Sequence, residues 1–330
     1  MQRLVVLAVI MAALLITVGC SVQSKPHKES RFLMDTLIEI TAYGPEAPTA
    51  IQEAFAQFER LHAMANVYDP SSQVAKVNEA AGVQPVTVDS DLIVMVERSR
   101  ELSDMLGGTF DISVGPLTEL WGVGKKGDYV PTDNELAPLL PLVDYHRIQV
   151  DKQSGTLYLP MAGMRLDMGG IAKGYATDKA IERLKARGIK SALVNAGGNV
   201  RVIGTRNDGK AWRIGIQHPR DEDRLAAKLA LTAWDTMETS GDYQRYFIKD
   251  AVRYAHIIDP RTGRQPGGVA SVTVMLNNSA DGDIFSTALF ILGPEKGMAA
   301  LEKFPGVEAV WVTADGRIVA TPGLQGKLEL

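Results

Sequence analysis

The chain has 330 residues, of which 45% are hydrophobic and 22% charged, and its formal net charge at pH 7 is -4. This ordinary globular composition argues against a disordered protein and is enough for one large domain or two closely joined ones. Lys and Arg form no run and no stripe interleaved with aromatic residues, so nucleic acid is excluded as the expected partner, and small molecules or other proteins are favoured.

Residues 1–19 have the pattern of an export signal. Arg3 supplies positive charge, residues 4–18 are almost wholly apolar, and Gly19-Cys20 ends the run. Residues 17–20 resemble a bacterial lipobox, in which the cysteine becomes the lipidated first residue. Cys20 is the only cysteine, so it cannot form an intrachain disulfide, and lipidation is favoured over an unmodified cysteine. We therefore predict a signal peptide at 1–19 and a polar tether at 20–31.

Strands and amphipathic helices alternate in the next part of the chain. Residues 32–43 have the alternation of a strand, and apolar residues at three- and four-residue spacing predict helices over 47–64 and about 92–106. The second helix has Asp89 or Ser90 as its cap and ends at Gly107-Gly108. His62 is interpreted as a surface or half-buried residue, because no second ligand type stands at helical spacing.

The stretch Thr109-Phe110-Asp111 follows directly after a glycine pair. Such a loop could wall a planar ligand, or it could be a tight connection with Phe110 in the core. Residues 124–141 are polar and contain proline, which indicates an irregular excursion. Strands are predicted near 147–150 and 156–159.

The stretch Leu166–Ala176, LDMGGIAKGYA, has a strand, a glycine turn and the start of a helix. Residues 164–168 alternate as a strand, Gly169-Gly170 breaks it, and helical spacing then continues to Gly188. Backbone N–H groups at a helix start, together with Lys173, suit a phosphate. A plain turn with a solvated lysine is the equally weighted alternative.

The second half of the chain is rich in strands. A hairpin is predicted over 191–203, strands over 212–217, 227–234, 246–248 and 269–276, and a sharp polar turn over 239–242. Residues 307–313 are a further strand, followed by a hairpin at Asp315-Gly316. His256 lies where an apolar strand runs into a turn, and it is either a site residue or a satisfied core histidine.

Asp283 and Thr287 stand four residues apart on one face of a helix predicted to begin near Asp281. A carboxylate and a hydroxyl placed this way form part of a hard oxygen site, which Mg²⁺ takes when phosphate completes its shell. The alternative is a helix start whose carboxylates complement the helix dipole.

Together these segments resemble the ApbE family, the FAD:protein FMN transferases. The resemblance rests on Met34-Asp35-Thr36, the Tyr68 turn running to Asn78, residues 108–111, DMGGIAKGYA, VNAGGNV, residues 239–243, HIIDPRTG and DIFSTAL. It implies an α+β fold with mixed or antiparallel sheets and packed helices, extending over 32–330. It also favours the phosphate cradle over the plain turn.

The resemblance also implies site residues. Contacts to FAD, the substrate, would come from Met34, Tyr68, Thr109, Phe110, Asp111, Asp167, Lys173 and Ile257. Mg²⁺ would be held by Asp283 and Thr287, with main-chain oxygens from Gly170 and around Ser286. His256 would be the catalytic base, and Asp283 would be catalytic through the metal.

The implied reaction transfers FMN from FAD to a threonine hydroxyl of an acceptor protein and releases AMP. Flavin-bearing subunits of the sodium-translocating NADH:quinone reductase or of the Rnf complex are the implied acceptors. A lipid anchor would hold the protein in the bacterial cell envelope, at the inner membrane and facing the periplasm.

Two other functions remain open from the sequence: hydrolysis of FAD to FMN and AMP, and flavin carriage without chemistry. Two departures from the usual family pattern bear on this choice. Asn66 stands where members commonly carry serine, close to the expected flavin position, and Gly282 replaces the usual alanine before Asp283.

Overall fold

The computed structural model describes residues 25–330, so the predicted signal peptide and Cys20 lie outside the described residues. Within this range the chain has an α+β fold, as expected from the family resemblance. Its seven α-helices in the described range are α1 (Ala47–Ala65), α2 (Gln73–Glu79), α3 (Ser90–Met105), α4 (Gly115–Trp121), α5 (Asp133–Leu136), α6 (Ala172–Ala186) and α7 (Ser279–Leu301).

Sixteen strands lie in the same described range. They are β1 (His27–Leu33), β2 (Thr36–Ala42), β3 (Val86–Thr87), β4 (Gln149–Asp151), β5 (Thr156–Tyr158), β6 (Ala192–Ala196), β7 (Asn199–Ile203), β8 (Trp212–Gln217), β9 (Leu225–Leu231), β10 (Thr236–Gly241), β11 (Tyr246–Lys249), β12 (Val252–Ala255), β13 (Val269–Leu276), β14 (Glu308–Thr313), β15 (Ile318–Ala320) and β16 (Leu328–Glu329).

One eight-stranded sheet organises the molecule, in the order β1-β2-β6-β7-β10-β13-β14-β15. The smaller sheets are β16-β9-β8, β3-β5-β4 and the pair β11-β12. Neighbouring strands in all of them run antiparallel. The only parallel pairing among the described residues is an isolated bridge between Val114 and Arg165.

The two faces of the large sheet pack against different layers. Helices α1, α6 and α7 contact one face, and the apolar positions that predicted α1, such as Phe55 and Phe58, are fully buried there. The sheet β16-β9-β8 covers part of the other face, where Met237 and Val312 pack with Trp212 and Leu229. Alternate strand residues therefore enter two separate cores.

The start of the domain differs from the sequence prediction. Residues 32–43 form two strands, because the chain reverses at Met34 and Asp35, whose φ angles are 54° and 60°. A two-residue hairpin loop with both φ positive suits the right-handed twist of its strands. Strand β1 already begins at His27, so the second half of the predicted tether belongs to the fold, where Arg31 pairs with Glu59 at 2.7 Å.

Two further predictions fail. Residues 239–242 are not a polar turn, because Thr239 to Gly241 lie in β10 and pair with β13 along their length. Residues 164–168 are extended and alternate in burial as expected, but they enter no sheet and make only the isolated bridge at Arg165.

Most other elements agree with the sequence prediction. The hairpin β6-β7, strands β8 and β13, helix α1 and the Asp89 cap of α3 lie where the patterns placed them. Helix α7 is long and apolar enough to cross a membrane by composition alone. It is instead a core helix in the fold, half-buried and broken at Gly293, where φ is 72°.

Candidate active site

A cleft of about 510 Å³ opens where α6, α7 and several loops meet. Gly170, His256, Asp283 and Thr287 all line it. So does every residue predicted to contact FAD, namely Met34, Tyr68, Thr109, Phe110, Asp111, Asp167, Lys173 and Ile257. Ser286 is not among the residues that line the cleft. Its hydroxyl accepts a hydrogen bond from the Ser240 hydroxyl at 2.9 Å and donates to the Asp283 carbonyl at 3.1 Å.

Asp283 and Lys173 form the charged centre of the cleft. Lys173 Nζ lies 3.0 Å from Asp283 Oδ1, and the Gly174 N–H donates to Asp283 Oδ2 at 2.5 Å. The Asn199 amide also donates to Oδ1. The carboxylate is buried and therefore needs these donors. Asp283 thus joins the first turn of α6 to α7.

Asp178 of α6 makes the reciprocal contact, with the start of α7. Its carboxylate accepts the N–H groups of Ser279 and Ala280, at 2.9 and 3.0 Å, and pairs with Arg201. Burial raises the pKa of Asp178, while Arg201 and the two N–H groups lower it. Each helix start is therefore satisfied by a carboxylate of the other helix, which fits the positive end of a helix dipole.

Gly174 allows the two helices to approach this closely. A methyl group placed on Gly174 would lie 2.0 Å from the Ser279 carbonyl oxygen, which no side chain can tolerate. The glycine therefore fixes the distance between Lys173 and Asp283 by permitting backbone contact.

The extended segment before α6 is held by side chains from distant loops. The Asn78 amide donates to the Leu166 carbonyl at 3.0 Å and accepts the Leu166 N–H at 2.7 Å. The Asp167 N–H donates to the Ile112 carbonyl at 2.7 Å, and Asp167 Oδ2 accepts the Thr118 hydroxyl at 2.8 Å. This bracketing places Asp167 in the cleft without a sheet.

The expected phosphate cradle offers fewer free backbone N–H groups than the glycine pair suggests. The N–H groups of Ile171 and Ala172 both donate to the Met168 carbonyl, at 3.1 and 2.9 Å, and that of Gly174 donates to Asp283. The Lys173 ammonium is therefore the main positive group available to an anion at this corner.

The donor set at the same corner fits a hard divalent cation. A methyl group on Gly170 would lie 3.6 Å from Thr287 Oγ1 and 2.6 Å from the Phe110 ring, so the main chain passes directly beside the Thr287 hydroxyl. Among the described residues no cluster of three His, Cys, Asp or Glu could hold a metal alone. Mg²⁺ with one carboxylate is typical where phosphate oxygens and waters complete the shell.

His256 follows the end of β12, as the pattern predicted. Its N–H donates to the Arg245 carbonyl at 3.1 Å, and its Nδ1 lies 3.3 Å from the same oxygen. A carbonyl only accepts, so Nδ1 carries the proton and Nε2 is free to accept one. Burial, with the charges of Arg245 and Lys173, lowers the pKa of His256 to about 4. The ring is therefore neutral at physiological pH.

The loop at residues 109–111 both places Phe110 in the core and forms part of the cleft wall, the two alternatives considered for it. Phe110 is buried in the core and also lines the cleft. Asp111 Oδ1 accepts the Ser113 N–H and hydroxyl, both at 2.7 Å, and Oδ2 accepts the Tyr145 N–H at 3.1 Å, while burial raises the pKa of Asp111. Asp111 thus shapes the loop that presents Phe110.

Tyr68 stands at the mouth of the cleft. It is 62% exposed, and Lys125 Nζ lies 3.0 Å from the centre of its ring. Asn66 Oδ1 accepts the Tyr68 N–H at 3.1 Å and also lines the cleft. Asn66 therefore supports the turn that carries the tyrosine.

Sequence reasoning missed Glu238, which lies behind Asp283. Glu238 is fully buried in β10, and neither carboxyl oxygen makes a hydrogen bond of normal geometry within the described residues. Burial raises its pKa well above the usual range, and the Asp283 charge raises it further. A methyl group on Gly282 would lie 2.2 Å from Glu238 Cγ, so this glycine inside a helix was the available signal.

Comparisons with known proteins agree with the resemblance found in the sequence. The model of the ApbE family matches residues 34–311. An FAD:protein FMN transferase of Klebsiella pneumoniae is 34% identical over 90% of this chain and 92% of its own length. That of Treponema pallidum is 32% identical over 94% and 91%.

Solved structures show the same similarity. An ApbE protein of Thermotoga maritima has a TM-score of 0.85 at 29% identity, covering 92% of this chain and 99% of its own. The flavin transferase ApbE of Vibrio cholerae has a TM-score of 0.81, also at 29% identity and with the same two coverages.

Proposed function

The chain belongs to the ApbE family, and from that premise we propose that it is an FAD:protein FMN transferase. It transfers the FMN part of FAD to a threonine hydroxyl of an acceptor protein and releases AMP. The observation that carries the proposal is the single cleft in which Lys173, His256, Asp283 and Thr287 meet. The similarity of transferases over nine tenths of the chain supports it.

We place the FAD pyrophosphate beside Lys173. The ammonium is the main cation at the inner corner of the cleft, and a negatively charged phosphate suits both it and the start of α6. The flavin extends from there toward Phe110 and the exposed Tyr68 at the mouth, where aromatic surface is available to a planar ring.

Mg²⁺ is part of the proposal. Asp283 and Thr287, with main-chain oxygens at Gly170 and around Ser286, would hold it. When bound, it neutralises charge on the phosphoryl oxygens and so favours attack on phosphorus. Lys173 adds a second positive charge to the same oxygens, which is the type of electrostatic stabilisation that dominates phosphoryl transfer.

The transfer step is a substitution at the FMN-side phosphorus. The acceptor threonine oxygen forms a new P–O bond, the bond to the bridging pyrophosphate oxygen breaks, and that oxygen leaves as part of AMP. The threonine proton passes to His256 Nε2, which the bond of Nδ1 to Arg245 leaves free to accept it. General-base help of this kind contributes roughly 10² to 10⁴ in rate.

Hydrolysis of FAD to FMN and AMP is the second candidate. Water would replace the threonine hydroxyl at the same centre. Asn66 in the cleft wall, beside Tyr68, is the residue that bears on the balance between transfer and hydrolysis. A carrier without chemistry is disfavoured, because binding alone needs no carboxylate and hydroxyl beside the pyrophosphate.

One assay separates the three functions. The purified protein is incubated with FAD and Mg²⁺, with and without the flavin-bearing subunit of a sodium-translocating NADH:quinone reductase or Rnf complex. AMP together with an acceptor heavier by one FMN supports transfer. AMP released equally without acceptor means hydrolysis, and bound FAD without AMP means carriage.

We also propose that Cys20 is lipidated and anchors the protein in the cell envelope, at the inner membrane and facing the periplasm. The support is the lipobox-like residues 17–20 and the absence of any other cysteine in the sequence. The mass of the mature protein tests the lipid, and Cys20→Ser should release the protein from membranes. A mature mass without lipid would refute the anchor.

A further inference from the structure

A second cleft, of about 360 Å³, lies on the sheet face opposite the helices. Its floor includes Leu193, Val200 and Met237, whose side chains point away from the helical layer. Asn195, Gln217 and Thr239 supply polar groups along its walls. We call this cleft the groove. It has no part in the reaction described above.

The free edge of β8 forms one wall of the groove. β8 pairs with β9 on one side, and no described strand pairs with its other side. Arg213, Ile214 and Gly215 line the groove consecutively. Because strand side chains alternate between faces, three consecutive lining residues mean that the backbone itself is presented. Such an edge offers unpaired N–H and C=O groups to another extended chain.

The groove adjoins the active-site cleft. The ladder between β7 and β10 ends at the pair Val200 and Met237, whereas β10 continues against β13 to Gly241. This leaves an opening beside Thr239 in the described sheet. Thr239 and Gln244 line both the groove and the active-site cleft, so the two spaces adjoin at these residues.

We propose that the groove binds an extended segment of the acceptor protein, which adds as a strand to the free edge of β8. The segment leads its threonine past Thr239 and Gln244 to the FMN-side phosphorus. This inference rests on the proposed function for the nature of the partner. Strand addition supplies affinity through main-chain hydrogen bonds, and the apolar floor admits alternate side chains, as in other peptide-binding sheets.

The length of the edge suits this role. The six residues of β8 extend for about 20 Å, enough to pair with a short segment on one side of the threonine. Because a strand joins by backbone pairing, the same groove can accept acceptors of different sequence.

The test compares Ile214→Trp, which fills the groove, with Lys228→Trp on the paired strand. Lys228 is opposite Gly215, exposed and outside the groove wall. The probe is the purified flavin-bearing subunit of a sodium-translocating NADH:quinone reductase, and FAD affinity is measured in parallel. We expect Ile214→Trp to lower kcat/KM for the acceptor by about tenfold or more, a loss of about 1.4 kcal/mol, with FAD affinity retained. Lys228→Trp should match the wild type.

A photo-crosslinking amino acid at either position gives a second measurement that does not depend on filling the groove. Crosslinks to the acceptor near its threonine are expected from position 214 and not from position 228. Unchanged transfer by Ile214→Trp, or crosslinks from 228 alone, would overturn the groove as the docking site. If the wild type itself transfers no FMN to this subunit, the proposed function is rejected instead. The acceptor segment is then also rejected as the occupant of the groove.

Discussion

Gly282 and Glu238 should behave as a matched pair, and their coupling can be measured. Glycine is a poor residue inside a helix, and in an isolated helix Gly→Ala gains about 1 kcal/mol. In α7, however, the added methyl group would lie 2.2 Å from Glu238 Cγ and 3.1 Å from Leu276 Cδ2. We therefore expect Gly282→Ala to destabilise the wild-type protein.

The size of the effect follows from two opposing terms. Overpacking a filled core costs about 1–3 kcal/mol. Subtracting the helix-propensity gain of about 1 kcal/mol leaves a net loss of up to about 2 kcal/mol for Gly282→Ala. In a Glu238→Ala background the clash with the carboxyl side chain is removed, so the same substitution should become neutral or stabilising. The coupling energy is then about 1–3 kcal/mol.

Urea denaturation of the four proteins in this cycle measures the coupling. Glu238→Gln provides the control, since it keeps the side-chain volume while removing the charge, and Gly282→Ala should remain destabilising beside it. An equal cost of Gly282→Ala with glutamate, glutamine or alanine at 238 would refute the reasoning. It would mean that another contact, and not Glu238, requires the glycine.

Three other predictions concern the cleft. Asp283→Ala should reduce FMN transfer more than His256→Ala, because Asp283 holds both Lys173 and the proposed metal; equal or reversed losses would reject this ranking. Since the pKa of His256 is lowered to about 4, the unfolded chain binds more protons between pH 6.5 and 4, and stability should fall through that window as pH falls. Urea titrations should show that this loss of stability reaches ~3 kcal/mol in the wild type and is absent in His256→Gln. Met34→Gly should relieve about 1 kcal/mol of backbone strain at φ 54° but weaken FAD binding. Ala251→Gly, at φ 61° in another hairpin, should stabilise the protein without affecting FAD binding. Weakened FAD binding in both variants would contradict a role for the Met34 side chain.

The sequence predicted best those elements in which the spacing of apolar residues matches the residues that the fold buries. Helix α1 was found because its apolar residues recur at helical spacing and fill the core, and strand β13 because it is apolar throughout. His256 was placed correctly at a strand end. The sequence motifs also selected residues that the fold brings to one cleft, although their individual roles remain predictions.

The failures have identifiable physical causes. Thr239, Ser240 and Gly241 have the composition of a turn, but the pairing of β10 with β13 in the middle of the sheet overrides that local preference. The reversal at Met34 was missed because neither it nor its neighbour is glycine or asparagine, the usual signals of such a loop.

The crossed capping of α6 and α7 also has a consequence for the order in which the protein is made. Lys173 and Asp283 are separated by 110 residues, and Asp283 completes the first turn of α6. In a chain that emerges from its N-terminus, α6 is therefore present before the carboxylate that completes its first turn. Until then its Gly174 N–H and the Lys173 charge have no native partner in α7. The anion-binding corner is thus complete only when α6 and α7 have come together, and FAD capture can serve as a report of their docking.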